Sequence, residues 1–188
     1  PKGEEEIPAA QVILAIGHSA RDTVAALYAQ GIRMEQKPFA VGVRIEHPRV
    51  WIDRAQYGAA AGHPALGAAD YKLVTHLPSG RGVYTFCMCP GGTVIAAASE
   101  EGGLVVNGMS EFARDAVNSN SALLVGVTPA DFPDDHPLSG ITLQRQMERA
   151  AFTLGGGQYR APVQLVGDFL HGRASSGAGE VIPSYRPS

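Results

Sequence analysis

Five apolar residues, Val12-Ile13-Leu14-Ala15-Ile16, run without interruption and stop at Gly17. A run this short, bounded by glycine, predicts a strand buried on both faces, as in a parallel sheet. Ser19-Ala20-Arg21-Asp22 follows with the spacing of a capping box, the acid standing in the Glu/Gln position. Ala20, Val24, Leu27 and Tyr28 then recur at helical spacing, and Gly31 supplies the stop. Strand, glycine turn and helix thus occupy the first part of the chain. From Phe39 to Glu46 the period changes to two: Val41, Val43 and Ile45 alternate with Gly42, Arg44 and Glu46. That alternation predicts a half-buried strand, broken at His47-Pro48. Val50 to Tyr57 reads as a short helix, with Pro48 near its first turn and Gly58 after it. Ala59 to Ala69 reads as a small-residue loop.

A series of short strands comes next: Tyr71–Leu77, Val83–Met88, Thr93–Ala98 and Leu104–Asn107. Between them stand the turn clusters Pro78–Gly82, Pro90-Gly91-Gly92 and Ser99–Gly103. Turn signals at this spacing predict an antiparallel meander. Ser110 to Asn120 is polar and reads as loop with one helical turn. Asn107-Gly108, Asn118 and Asn120 read as turn formers. Ala122 to Val127 is another apolar run, ended by Thr128-Pro129, and Asp131 to Ser139 is a loop. Leu143, Met147, Ala150, Ala151 and Leu154 share one face of a helix that Gly155-Gly156-Gly157 ends. Val163 to Leu170 fits strand or helix. From His171 onward Ser, Gly and Pro dominate, as in a tail. The fold class expected is α+β: an antiparallel β-sheet meander with a few flanking helices, preceded by a strand–turn–helix. The expected organisation is 1–35 for that opening unit, 36–170 for the α+β domain and 171–188 for a linker or tail.

Composition narrows the class. The chain has 188 residues, 45% apolar and 18% charged, with a formal charge of −3. That is enough apolar material for one core. Its 23 glycines and 13 prolines, about a fifth of the residues, point to tight turns and short elements. No apolar stretch approaches the ~20 residues of a membrane helix, and no signal peptide is visible. Mild acidity argues against a broad nucleic-acid footprint. Cys87 and Cys89 are too few and too close for a disulfide framework, which suits a reducing, cytoplasmic compartment. The chain begins at Pro1 without an initiator methionine, as a cut or processed product would.

Three groups of residues are candidates for chemistry. Gly17-His18-Ser19 stands between a strand and a helix N-terminus, where free N–H groups favour anions such as phosphate. The plainer reading is a βα turn with Ser19 as cap, worth roughly 1 kcal/mol; no G-x-G-x-x-G fingerprint accompanies it. Cys87-Met88-Cys89-Pro90-Gly91-Gly92 is the second group. On a regular strand its two thiols share a face. The strand setting lacks the helix-start dipole that activates redox dithiols, and adjacent glycines permit close backbone approach to something flat. The plainer reading is two small residues before a turn. The third group is the histidines, His18, His47, His63, His76, His136 and His171; they are scattered, without metal-ligand spacing. No G-x-S-x-G elbow supports a hydrolase. Arg44 could pair with Glu46 or meet an anion, and surface pairing is the simpler expectation.

The string from Val12 to Asp22 resembles the strand-to-glycine segment that returns the chain to the flavin domain in FAD-dependent oxidoreductases. Lys37 to Pro48, Phe86 to Gly92, Val106 to Ser110, Asn118 to Ala122 and Ala161 to Gln164 resemble, in order, the bacterial FAD-dependent dehydrogenases, also called NAD(FAD)-utilizing dehydrogenases. The likeness covers nearly all of the chain, and Cys-Met-Cys-Pro-Gly-Gly is its most specific string. Members of that family are much longer and carry an N-terminal Gly-rich βαβ motif for the ADP half of FAD, absent here. The resemblance therefore implies a middle, substrate-side domain with one returning strand and helix of the flavin-binding part. It implies that this region covers the flavin re face and substrate pocket, with NAD(P)H as electron donor and a small molecule as substrate. Gly17, His18, Ser19, Cys87, Cys89, Pro90, Gly91 and Gly92 would lie near the cofactor. The rest of the same polypeptide would be the partner, and the isolated chain would be inactive and hold no FAD. Two other classes stay open: a non-enzymatic binding or interaction module, and a thiol redox protein using Cys87 and Cys89.

Overall fold

The computed structural model describes residues 6–183. The chain divides into two compact units, 1–33 and 34–188. In the first, helix α1 (Arg21–Ala29) forms where the apolar spacing placed it. Its N-cap is Ala20, and no side chain caps it. Ser19 lies one residue too early, its carbonyl accepting the Arg21 N–H at 2.9 Å. Asp22 accepts its neighbour's N–H, from Thr23 at 2.8 Å, and does not reach back to complete a capping box. The C-terminus behaves as expected. Gly31 takes φ +86°, its N–H donates to Tyr28, and that of Ile32 donates to Leu27, the paired bonds of a Schellman stop.

The predicted strand at Val12–Ile16 is not formed. The segment has no ladder partner among the described residues, and Val12 and Ile13 are 83% and 92% exposed. A parallel strand exists only beside another strand, to which its alternate N–H and C=O groups bond. The described part of this unit contains no second strand.

The second unit is α+β. Strand β1 (Phe39–Pro48) leads directly into helix α2 (Arg49–Tyr57), with Pro48 as its N-cap and Gly58 as its C-cap at φ +56°. Then come β2 (Val74–His76), β3 (Gly82–Cys89), β4 (Thr93–Ala97), β5 (Val105–Met109) and β6 (Asn118–Val127). Helices α3 (Ser139–Leu154) and α4 (Val166–Leu170) follow, so the ambiguous 163–170 stretch contains a helix. The strands are antiparallel and make an open four-stranded sheet in the order β1-β6-β3-β2, beside a β4-β5 hairpin. The serial hairpins β2-β3 and β4-β5 match the spacing of the turn signals. Between them the chain leaves the sheet at Cys89, and β6 fills the place next to β3. It also pairs with β1 over ten residues, from Phe39↔Val127 to Pro48↔Asn118.

Asn118 and Asn120 are thus strand residues, not turn formers, and Asn107-Gly108 lies within β5. Local chemistry favoured turns at these positions, but a ten-residue ladder satisfies more backbone groups than an isolated turn does. The interior is unusual for the same reason. Its fully buried side chains include Ser119, Asn120 and Ser121, while its buried apolar residues mix Ala69, Ala122 and Ala161 with Val94, Leu104, Val127 and Phe132. Val43, midway along the edge strand β1, and Phe86, on the inner strand β3, remain 65% and 55% exposed. Among the described residues no helix is long and apolar enough to cross a membrane.

Candidate functional site

The first four residues of β6, Asn118-Ser119-Asn120-Ser121, are the hub of a buried polar network. Register and the two-residue period put Asn118 and Asn120 on one face with Arg44 and Glu46 of β1, and Ser119 and Ser121 on the other with His47. On the first face the Arg44 Nε donates to Asn120 Oδ1 at 2.7 Å. Arg44 Nη2 donates to the Cys87 carbonyl at 2.6 Å and lies 3.5 Å from Cys89 Sγ. Arg44 is therefore bonded into the cysteine loop, and the expected surface pair with Glu46 is not formed. Asn118 Nδ2 donates to Glu46 Oε1 at 3.1 Å and to the Ile182 carbonyl at 2.8 Å. Burial outweighs that bond and the one from the Val94 backbone, so the Glu46 carboxyl is raised above its ordinary value. The β5 backbone closes this face: a side chain at Gly108 would collide with the Arg44 guanidinium and Asn120 Oδ1.

Where β3 passes this network it bulges. Phe86 pairs with Ala122 and Cys89 with Asn120, so Cys87 and Met88 together stand opposite Ser121. The extra residue is accommodated by Cys87 at φ +44°, a left-handed conformation costing an L-residue roughly 1–2 kcal/mol. The bulge breaks the alternation that would put both thiols on one face. Cys87 is exposed, Cys89 is half-buried, and both are free thiols. Cys89 Sγ donates to the Cys87 carbonyl at 3.4 Å.

Beyond the bulge, Pro90, Gly91 and Gly92 are buried. The Gly91 N–H donates to Ser119 Oγ at 3.0 Å, and the Gly91 carbonyl accepts the Ala116 N–H at 3.1 Å. Gly91 has φ +51° and faces the Arg114 carbonyl so closely that a Cβ would overlap it. A Cβ at Gly92 would meet the Met109 carbonyl and Ser110 Oγ. The space these glycines leave is thus taken by the protein's own backbone and a serine.

On the opposite face Ser121 Oγ donates to the carbonyl of Phe86, just before the bulge, at 3.3 Å. Ser121 also shares a hydrogen bond with Tyr71, whose hydroxyl is raised above its ordinary value chiefly by burial. The rings of Tyr71 and His47 lie 5.6 Å apart. Burial lowers the His47 imidazole below its ordinary value, and its Nε2 is enclosed without a partner among the described residues.

Gly17, His18 and Ser19 belong to the first unit and are exposed. Gly17 has φ +72°, with open space where a Cβ would stand. Among the described residues no group of three His, Cys, Asp or Glu side chains is placed to hold a metal. An open groove of about 570 Å³ lies elsewhere, at the far end of the sheet, lined among others by Phe39, Arg81, Tyr84, Gly126 and Thr128.

Sequence reading missed Arg44, Asn120, Ser119, Ser121 and Tyr71 as a network. One signal was available: Asn118-Ser119-Asn120-Ser121 runs without a glycine or proline into the apolar stretch that follows, so both fit a single strand.

A family model described as "FAD-dependent protein, C-terminal domain-like" matches residues 38–188, the whole span from β1 through the cysteine loop and β6 to the end. The chain belongs to that family. The resemblance implied a middle domain, whereas the family is described as C-terminal; a domain of an FAD-dependent protein is common to both. The chain is also 59% identical over 175 residues to an uncharacterized protein of Clostridium beijerinckii, an alignment covering 93% of this chain and 33% of that protein. It thus spans about a third of the length of that relative.

Proposed function

We propose that this chain is the substrate-side part of an FAD-dependent oxidoreductase, in which the Cys87–Gly92 loop borders the flavin re face and substrate pocket. The observation that carries the reading is the bulge: half-buried Arg44 bonds the Cys87 carbonyl and buried Ser121 that of Phe86, and the exposed Cys87 thiol stands on an unfavourable backbone conformation. Strain of this kind persists where the surroundings over-determine it and clusters at functional sites. The family match supplies the cofactor class. Bound FAD would accept and pass on a hydride.

The residues present fit such a group at Cys87, which is open to a ligand. Cys89, Pro90, Gly91 and Gly92 would contribute by fixing the loop, since the chain itself fills the space beside the two glycines. Taken by itself, the Gly17-His18-Ser19 turn offers exposed backbone with no side chain in the way, suited to an anionic part of a cofactor. NAD(P)H is the electron donor on this reading, and a small molecule the substrate. The rest of a longer polypeptide would hold the FAD, because no pyrophosphate-binding Gly-rich loop is present in these residues.

Absorbance spectroscopy of the intact polypeptide and of this chain alone tests the reading. The intact protein is expected to carry stoichiometric FAD that NADH or NADPH bleaches; the chain alone is expected to carry none. Tightly bound FAD on the isolated chain would overturn the division of labour, and an intact protein without flavin would overturn the class. Cys87→Ser is expected to alter turnover more than Cys89→Ser. Unchanged turnover in both would make the thiols structural and would also remove the dithiol alternative.

A further inference from the structure

Arg44 differs from three other half-buried arginines of its unit, Arg49, Arg81 and Arg145. Arg81 meets Asp131 at 2.8 Å, Arg145 meets Glu100 at 2.6 Å, and Arg49 lies 3.5 Å from Asp53. Arg44 makes no ion pair among the described residues. Its Nε and Nη2 bond neutral acceptors, Asn120 Oδ1 and the Cys87 carbonyl, with Cys89 Sγ nearby. Its Nη1 has no partner there. The carboxylate on the same strand face, Glu46, is engaged by Asn118 Nδ2 and the Val94 backbone.

Three unfavourable features meet at this point. Cys87 is left-handed. Asn120, fully buried, spends its carbonyl on Arg44 while its Nδ2 has no partner among the described residues. A guanidinium is partly withdrawn from water without a counter-charge. Buried unsatisfied groups call for a cause, and a packed scaffold that breaks several local rules in one place does so at functional sites. All three are explained if the guanidinium is aimed at something outside the chain.

We infer that Arg44 is an anion-binding residue, which takes a carboxylate-like oxyanion of a small ligand through Nη1, beside the bulged Cys87–Cys89 backbone. Nη2 has two N–H groups and two contacts, the Cys87 carbonyl and the more distant Cys89 Sγ, so Nη1 is the nitrogen left for a ligand. Two sources share this chemistry: the carboxylate of a small molecule, and the oxyanion edge of a reduced flavin ring. Only the second rests on the reading of the previous subsection.

The test uses the intact polypeptide with its natural complement of cofactor. Benzoate is titrated calorimetrically, with benzamide as the uncharged control. Arg44→Gln removes the charge. Asn120→Asp keeps the acceptor for Nε but gives Arg44 a counter-charge, so a merely structural arginine would be held as well or better while an anion site would be neutralised. If the source is a small molecule, benzoate binds the wild type, benzamide does not, and both variants weaken benzoate at least tenfold. If the source is the reduced ring, benzoate binding is unaffected, but the flavin midpoint potential falls in both variants. A tenfold loss of stabilisation corresponds to about 30 mV for this two-electron couple. Near-UV circular dichroism establishes folding; should Arg44→Gln fail to fold, Asn120→Asp decides. Benzoate affinity and potential both unchanged in a folded variant would overturn the inference. An intact protein lacking flavin would overturn the flavin reading alone and leave calorimetry to decide this one, absence of benzoate binding then counting against it.

Discussion

Arg44 and Arg81 serve the two ends of one sheet in opposite ways. At the β6 C-terminal end, Arg81 donates to both oxygens of Asp131, at 2.8 and 3.0 Å, and to the Gly126 carbonyl. Asp131 also accepts the Thr128 N–H, so charge and hydrogen bonds are complete within the chain. The Arg81 hydrogen bond, more than any other cause, pulls the Asp131 carboxyl from 3.8 to about 2. At the β6 N-terminal end Arg44 is half-buried, bonded only to neutral acceptors, and set against a bulged, left-handed cysteine. One end is a closed clasp that joins the β2–β3 turn to β6. The other is held rigidly yet left electrically incomplete. On the reading proposed above, similar side chains on the same scaffold separate a structural end from a functional one by the missing counter-charge at Arg44.

Substitutions that rank the two ends would break or sharpen this comparison. The largest effect is expected at the cysteine loop. Gly91→Ala puts a Cβ into the Arg114 carbonyl at a positive φ, and about 3–5 kcal/mol of stability should be lost, read by chemical denaturation of the intact protein. A loss under about 1 kcal/mol would mean the loop is free to shift, and the bulge would not be over-determined. Asn120→Ala removes the acceptor of a charged donor in a fully buried position and should cost about 2–3 kcal/mol. An Asn120→Ala protein as stable as the parent would contradict a rigidly held Arg44.

Acidification should reach the polar end first. Burial keeps His47 neutral, below its ordinary value of 6.5. Its contribution to stability is present above pH 6.5 and fades as the pH falls below that value towards the lowered one. His47→Gln should flatten that part of the stability–pH curve. The Arg81–Asp131 clasp should yield smaller effects. Its contribution is present above pH 3.8 and is lost as the pH falls from there towards 2. Asp131→Asn should reduce stability less than Asn120→Ala does, because the pair is solvent-screened, and it should leave flavin-linked properties unchanged. A change in flavin spectrum or potential in Asp131→Asn would erase the distinction between the ends.

Much of the scaffold was legible before the fold was known. Hydrophobic period and turn chemistry located α1, β1, α2, the β2-β3 and β4-β5 hairpins and α3, because those signals act within a few residues. Val12–Ile16 shows where such reasoning stops. Its composition is that of a buried strand, but its state depends on a neighbour that the described residues do not provide. Asn118 and Asn120 show the reverse failure. Their side chains favour turns, and pairing with β1, far away along the chain, overrides that preference.

The candidate site divides along the same line. The sequence by itself determined that Cys87-Met88-Cys89-Pro90-Gly91-Gly92 was the string to watch, because two thiols and a Pro-Gly-Gly turn limit what the backbone there can do. Only the tertiary structure decided that Cys87 would be exposed and left-handed, and that the glycines would be packed by the chain itself. Likewise only the fold decided that Arg44, forty-three residues away, would lie against the loop without a counter-charge. Conformational preference is local and can be read along a chain. Charge compensation is settled between residues that folding brings together.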